Sequence, residues 1–372
     1  MGSVFGNSIK LTLFGESRGQ AVGAVLDGLP PGLKVDMDYI SSEMDKRRAR
    51  GSYSTERREK DVPEFISGVK DGFTEGTPLT VIIKNTDAKP AGCDAQSQEG
   101  CSKPFIPRPS HADFTAQAKY LGFQDASGGG HFSGRLTAPI TAACAVIKQA
   151  LETKGIFIGT HILRLGELED RPFEADPSED IRTLSGPLFP VLCEKNSKAM
   201  KDAMEKAAEE GDSLGGVLET AVAGLPAGIG EPFFESLESE LARALFSIPG
   251  AKGVEFGAGF EIAAMKGSQA NDAFAVKDGK VVTLTNNSGG INGGISNGMP
   301  IVFRTAFRPT TSISKAQKSV DLNTMTETEL VISGRHDPAF IHRARPVVDA
   351  LTALVIADLA ARRFGYMWLR NE

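Results

Sequence analysis

Apolar residues alternate with polar ones at Ile9, Leu11 and Leu13, the period of a strand with one face in a core. Leu79 to Ile83 is a short apolar run and predicts a buried strand. Val281, Thr283 and Thr285 alternate again and predict a further strand. Leu136, Ile140, Cys144, Ile147 and Leu151 are spaced 4, 4, 3 and 4 apart, one face of an amphipathic helix. Leu351, Leu354, Val355 and Ile356 predict a second amphipathic helix over Arg345–Phe364, with Pro346 in its first turn. A shorter helix over Met37–Arg48 turns Ile40 and Met44 inward. It ends in Lys46, Arg47 and Arg48, cations that suit the C-terminal end of a helix dipole.

Parts of this pattern recur. Gly23-Ala24-Val25-Leu26-Asp27-Gly28-Leu29-Pro30-Pro31-Gly32 is echoed by Leu218 to Gly228, which ends Gly224-Leu225-Pro226-Ala227-Gly228. Thr77 to Ile83 parallels Met299 to Arg304. Each half then delivers an Arg/His/Asp loop, Arg108 to Asp113 in one and Gly334 to Pro338 in the other, and later an amphipathic helix. The expectation is two similar α/β halves packed about one core. Asp87 to Pro109, rich in Pro, Gly, Ser, Gln and Lys, reads as a mobile loop.

Composition narrows the class. A chain of 372 residues with 41% hydrophobic and 24% charged residues reads as an ordinary soluble globular protein. No stretch approaches the roughly 20 apolar residues of a membrane span. Met1 to Gly6 lacks a basic region followed by an apolar run, so the expected location is the cytoplasm. Cys93, Cys101, Cys144 and Cys193 form no CxxC pair and have no ligand spacing with histidine, which argues against a structural metal or a disulfide framework. Cys144 falls on the helical stripe and belongs to the core. The net charge of −6 argues against generic nucleic-acid binding. Yet Lys46 to Lys60 holds seven cations against Glu56 and Glu59, a local concentration suited to a small anion or to a solvated face.

Chemistry concentrates in loops. Arg308-Pro309-Thr310-Thr311-Ser312-Ile313 sets a guanidinium beside hydroxyls and backbone N–H groups, a combination suited to a phosphate. Gly334-Arg335-His336-Asp337-Pro338 puts a cation, an imidazole and a carboxylate in three consecutive positions. Gly128-Gly129-Gly130-His131-Phe132-Ser133-Gly134-Arg135 runs straight into the 136–151 helix and lets backbone approach a ligand closely. Gly289 to Gly298 is a second glycine-rich loop. Neither matches a dinucleotide fingerprint or an NTPase phosphate loop. Taken singly, each of these segments also reads as a plain turn.

Together and in order they resemble the chorismate synthase family. The matching motifs begin with Phe14-Gly15-Glu16-Ser17, Asp27 to Gly32, Asp45-Lys46-Arg47-Arg48 and Thr55 to Glu59. Asn85-Thr86-Asp87, Arg108 to Phe114, Gly128 to Gly130, Gly211-Asp212-Ser213 and Lys252 to Gly257 follow. Gly289 to Gly298, Arg308 to Ile313, and Gly334 to Pro338 with Arg343-Ala344 complete the set, so the likeness spans about residues 5 to 364.

The resemblance implies a single domain over 1–372, a β-α-β sandwich of two pseudo-repeated halves in the α/β (α+β) class. It also implies mobile loops near 46–60 and 87–109, and a homotetramer. The implied reaction is the 1,4-anti elimination of phosphate from 5-enolpyruvylshikimate 3-phosphate, with reduced FMN required and no net redox change. By the same resemblance Arg47, Arg48, Arg108, Arg135 and Arg335 clamp the substrate. His111 protonates the departing phosphate, and Asp337 adjusts protonation at the flavin N5. His131, Phe132, Ser133, Gly250, Gly293, Arg308, Pro309, Thr310, Thr311, Ser312 and Arg335 contact the cofactor. An external reductant is expected to supply the reduced flavin, since no dinucleotide fingerprint is present. No metal, nucleic acid or membrane partner is implied.

The chain departs from the family pattern in places. The family reads Gly-Glu-Ser-His-Gly where this chain has Gly15-Glu16-Ser17-Arg18-Gly19. Arg18 thus replaces a histidine assigned to protonating reduced flavin near N1. Arginine holds an anion by charge but exchanges no proton near neutrality. The alternative is therefore a non-catalytic or impaired flavin- or anion-binding homologue. Many relatives follow the triple glycine with Arg-Ser-Ser-Ala-Arg, here His131 to Arg135, and Arg308 stands for a usual lysine. His161 reads as structural. His336 orders its turn or takes part in the site, and His342 shields it at most.

Overall fold

A computed structural model describes residues 2–48, 61–86, 105–125, 129–332 and 337–370. Two five-stranded antiparallel sheets enclose a layer of helices. The first sheet holds Val4–Phe5 (β1), Lys10–Gly15 (β2), Ala21–Asp27 (β3), Glu64–Ser67 (β4) and Leu79–Lys84 (β5), in the order β1-β2-β3-β5-β4. The second holds Phe157–Leu165 (β6), Leu168–Glu169 (β7), Gly216–Ala223 (β8), Ala251–Phe256 (β9) and Ile301–Phe307 (β10), in the order β9-β10-β8-β6-β7. The helices are Met37–Asp45 (α1), Asp113–Tyr120 (α2), Thr137–Thr153 (α3), Leu237–Leu245 (α4) and Ile341–Phe364 (α5). Helix α3 lies on β3 and β5, α5 on β6 and β8, and the two helices pack against each other. Helix α1 flanks α3, and α4 flanks α5.

The two halves repeat. Strands β2, β3, β5 and β4 stand side by side as β6, β8, β10 and β9 do. In each half a short helix follows the second strand and a long helix follows the last. The echoed segments at 23–32 and 218–228 fall on β3 and β8 with their exit turns, and those at 77–83 and 299–304 fall on β5 and β10. The halves share one hydrophobic core, with Leu26, Ile83 and Val81 on one side and Val222, Ile301 and Phe303 on the other.

The long helices differ from the amphipathic expectation. Nearly every residue of α3 from Thr137 to Leu151 is buried, and α5 is buried almost all round from Ala344 to Ala361. Alanines fill the faces that the periodic stripe leaves over, Ala138, Ala142, Ala143 and Ala145 in α3 and Ala350, Ala353, Ala357 and Ala360 in α5. Small side chains let a helix sit close to a sheet on one side and to a helix on the other. Helix α5 starts four residues earlier than expected, at Ile341, which places Pro346 inside it. Helix α1 stops at Asp45, so Lys46 to Arg48 lie just beyond its end. The strand expected around Val281 is Lys280–Thr283. It forms an exposed hairpin with Phe274–Lys277 outside both sheets, and Val281 is exposed.

Charge is buried between the helices. Lys148 of α3 donates to Glu43 of α1 (3.0 Å) and Asp349 of α5 (3.4 Å). Lys46 completes the Glu43 pair at 2.5 Å. Asp349 also accepts from Thr160 (2.6 Å), which bonds Thr220 (2.8 Å), so one chain of bonds runs from α1 to the second sheet. Burial pushes the Glu43 carboxyl up, but Lys148 and Lys46 outweigh it and hold it down at about 2. On the outer side of the second sheet His161 is fully buried, with Glu219 at 3.2 Å and Asp170 at 3.5 Å. Burial opposes its protonation, but the two carboxylates prevail and raise its pKa. Its role is structural, as the sequence suggests, and Cys144 is core.

Candidate active site

Two groups of polar side chains gather at the ends of the central strands. The first forms around Asp61. Arg47, just past the end of α1, donates to Asp61 Oδ2 (3.2 Å), to Thr137 Oγ1 (2.8 Å) and to the Gly134 carbonyl (3.3 Å). Arg135, ahead of α3, bonds the other Asp61 oxygen. Its Nε donates to Asn85 Oδ1 (2.9 Å) and its Nη2 to the Lys84 carbonyl (3.3 Å). Burial pushes the Arg47 guanidinium down to about 10 against the pull of Asp61, and the charges of Arg343 and Arg135 push the same way. Arg343, in the first turn of α5, bonds Asp337, so the 337–343 segment belongs to this group.

The second group surrounds His111. Its Nε2 lies 3.1 Å from Ser312 Oγ. Arg308 donates to the Ser110 carbonyl (2.6 Å), and its backbone N–H donates to Gly250 O (3.0 Å). Arg108 forms a forked pair with Asp113 at 2.8 and 2.7 Å, so Nε and one terminal nitrogen are already engaged. Burial and the Arg108 charge, with Arg308 adding, push His111 down to about 4, and Asp113 opposes them only in part. The two groups meet through the start of α5. Pro338 O accepts from Leu214 N (2.7 Å), and neighbouring Ser213 donates to Thr310 O (2.6 Å) in the 308–312 loop.

The remaining expected residues divide. Ser133 caps the turn before α3 by accepting from Arg135 N (3.2 Å), and Phe132 meets Tyr120 edge to face. His131 contacts Gly15 O (2.9 Å) and Ser3 Oγ (3.1 Å), beside the 15–19 turn that carries Arg18. Pro309, Thr310 and Thr311 follow Arg308 on the same loop. Arg48 pairs with Asp45 at the end of α1. Gly293 sits on a small hairpin whose Gly294 O accepts from Leu237 N at the start of α4, whereas Gly250 lies past the other end of that helix. Arg335, His336, Gly128, Cys93 and Cys101 lie outside the described residues, as do 49–60 and 87–104 of the two expected mobile loops. At 46–48 the chain is held, since Lys46 is buried and Arg47 bonded. His342 is buried against Phe189, and burial drives its pKa down to about 3.

Sequence reasoning passed over Asp61, Asn85, Thr137 and Arg343 as site residues. Asn85 and Arg343 stand within matched motifs, which is a usable signal. Asp61 and Thr137 carry none.

Comparison with known proteins places the chain in a family. The chorismate synthase family model matches residues 9–361. Chorismate synthase of Thermococcus gammatolerans is 46% identical over 358 residues, 96% of this chain and 97% of that protein. Chorismate synthase of Methanosarcina barkeri is 45% identical over 362 residues, 96% and 95% of the two chains. A crystal structure of chorismate synthase superposes with a TM-score of 0.76 at 28% identity, covering 97% of this chain and 94% of its own. The chain belongs to the chorismate synthase family, carbon–oxygen lyases that act on phosphates and form chorismate.

Proposed function

We propose that this chain catalyses the 1,4-anti elimination of phosphate from 5-enolpyruvylshikimate 3-phosphate with reduced FMN as a resident cofactor and no net redox change. The observation that carries the reading is the pair of arginine-rich groups joined through residues 337–343 and 213–214. A substrate with two carboxylates and a phosphate needs several fixed cations, and planar guanidinium groups hold such anions with defined geometry. Arg47, Arg135 and Arg108 supply them, and Arg335 is assigned the same part on the resemblance.

The donor set suits a flavin phosphate as well. Thr310 Oγ1 is buried without a hydrogen-bond partner among the described residues, on a loop that also offers Arg308, Thr311 and Ser312. Those residues, with Pro309, Gly250, Gly293 and the His131–Ser133 turn, would hold the cofactor. When bound, reduced flavin would supply electron density and a basic N5 able to take the substrate proton. Asp337, anchored by Arg343, is the carboxylate assigned to proton traffic at that nitrogen.

His111 takes the leaving group. With its pKa near 4 the imidazole is neutral at pH 7, so it carries no proton to give until an anion arrives. A phosphate dianion set among Arg108, Arg308 and Ser312 reverses the local field and lets His111 protonate, ready to donate as the C–O bond breaks. Burial of the site strengthens each of these interactions.

Arg18 favours the second reading, a homologue that binds and does not turn over. Anaerobic phosphate release separates the two. Photoreduced FMN with the native chain is expected to give stoichiometric phosphate, and oxidised FMN plus NADPH alone is expected to give none. No release with photoreduced FMN overturns the elimination; release with NADPH alone overturns the external reductant. Cytoplasmic location and a homotetramer are part of the proposal, the latter checked by light scattering.

A further inference from the structure

Asn85 stands where two loops meet and engages its backbone N–H and both ends of its side-chain amide. It follows the last residue of β5, and its backbone N–H extends the ladder to Gln20 O (3.1 Å), which fixes its starting point. From there its amide oxygen accepts from Arg135 Nε (2.9 Å). Its amide nitrogen donates to Glu16 O (3.0 Å) and Gly19 O (2.8 Å). One planar group thus ties a guanidinium to both ends of the turn that carries Arg18. The same turn is held from the other side by Ser17 N donating to Gly130 O (3.0 Å) and by His131.

The choice of an amide is chemically specific. An uncharged group offering one acceptor and two donors in a plane satisfies the Arg135 N–H and two carbonyls at once. A carboxylate at 85 would still accept from Arg135 but would face both carbonyls with no donor. Leucine would fill the space and satisfy none of the three. Nε is the pivot of the guanidinium, so the bond from Asn85 sets the plane in which the terminal nitrogens of Arg135 point.

We propose that Asn85 is a positioning residue for the elimination, acting on the substrate through Arg135 and on the flavin side through the 16–19 turn. This rests on the roles assigned above to Arg135 and Arg18. The effect of Asn85 is to keep those two cations in a fixed relation.

The test is a double-mutant cycle with KM and kcat read separately. Asn85→Leu is expected to raise KM for the phosphorylated enol ether about tenfold in the native background. In Arg135→Lys, which has no Nε–H to be held, the same change should move KM less than about twofold. Asn85→Asp keeps the acceptor for Arg135, so kcat falls about tenfold while KM shifts less than about threefold. Equal KM factors in both backgrounds, or a loss of Tm and of kcat alone in both variants, would mean a merely structural residue and overturn the proposal. The cycle is repeated on sulfate affinity by calorimetry with flavin-free protein. If the native chain binds sulfate but never turns over, the elimination fails on its own. Coupling of Asn85 to Arg135 in sulfate affinity would still uphold the positioning role, and its absence would end it.

Discussion

Arg47 and Arg135 are bridged, each guanidinium bonding a different oxygen of the Asp61 carboxylate. Arg47 comes from the end of α1 and Arg135 from the start of α3, so Asp61 offsets the repulsion of two cations that the fold forces together. An anionic ligand competes for the same positive field. Asp61→Asn should therefore weaken the fold and strengthen anion binding. Losing one partner of a largely buried pair costs on the order of 3 kcal/mol, read as a lower urea midpoint. Sulfate affinity measured by calorimetry should rise several-fold. Weaker sulfate binding in Asp61→Asn would show that the carboxylate orients the arginines more than it opposes the ligand.

Protonation of His111 gives the second expectation. Burial and the Arg108 charge hold its pKa at about 4, below the ordinary histidine value of 6.5. The sign follows directly: neutral His111 contributes stability that is complete above about pH 6.5 and is lost as pH falls through 4. His342, down at about 3, acts in the same direction. A bound dianion raises the His111 pKa, so binding takes up a proton. Sulfate, which does not titrate in this range, should bind several-fold tighter at pH 5 than at pH 7. Calorimetry in two buffers of different ionisation enthalpy should report the proton uptake. His111→Asn should flatten the pH dependence and abolish the uptake; a native chain with flat sulfate affinity would contradict this account.

The sequence made some of this legible and hid the rest for physical reasons. The repeat is visible because Gly-Leu-Pro-x-Gly marks the same exit turn after β3 and β8, and because apolar runs mark β5 and β10. Arg47, Arg108, Arg135 and His111 are visible because they sit in ordered motifs. Asp61 is not: it lies 14 residues from Arg47 and 74 from Arg135, and only the sheet and helix geometry brings the three together. Lys148 and Asp349 are hidden for a different reason. A charge within a helical stripe reads as a solvent face, and it becomes internal only when a helix is covered on every side.

That internal charge yields the third expectation. Lys148 faces two carboxylates, Glu43 and Asp349, and all three side chains are nearly inaccessible. Lys148→Met removes the cation and leaves both acids in the helix layer, with Lys46 able to reach only Glu43. The expected loss is about 3 to 5 kcal/mol. The exposed pair of Lys84 with Glu64 is the control, since Lys84→Met should cost under about 1 kcal/mol. Urea unfolding of the two variants tests the contrast. Comparable small losses would show that water reaches the Glu43–Asp349 region.

The repeat makes an energetic claim of its own. Gly28 ends β3 at φ 89° and Gly224 ends β8 at φ 82°. A Cβ at Gly28 would lie 2.1 Å from Ser8 O, and one at Gly224 would lie 2.0 Å from Gly155 O. In each half the carbonyl precedes the first strand, so the same close approach closes the same corner twice. Gly72, at φ 81° with nothing within 4 Å of its Cβ position, carries the backbone strain without the clash. Gly72→Ala should therefore cost about 1 to 2 kcal/mol, the penalty for a left-handed L-residue. Gly28→Ala and Gly224→Ala should each cost more, because backbone must also move. Thermal unfolding of the three variants decides the matter. Similar losses at 28 and 224, both exceeding that at 72, are what two equivalent corners require; a tolerated alanine at either would show that the halves match in topology and differ in how tightly they are closed.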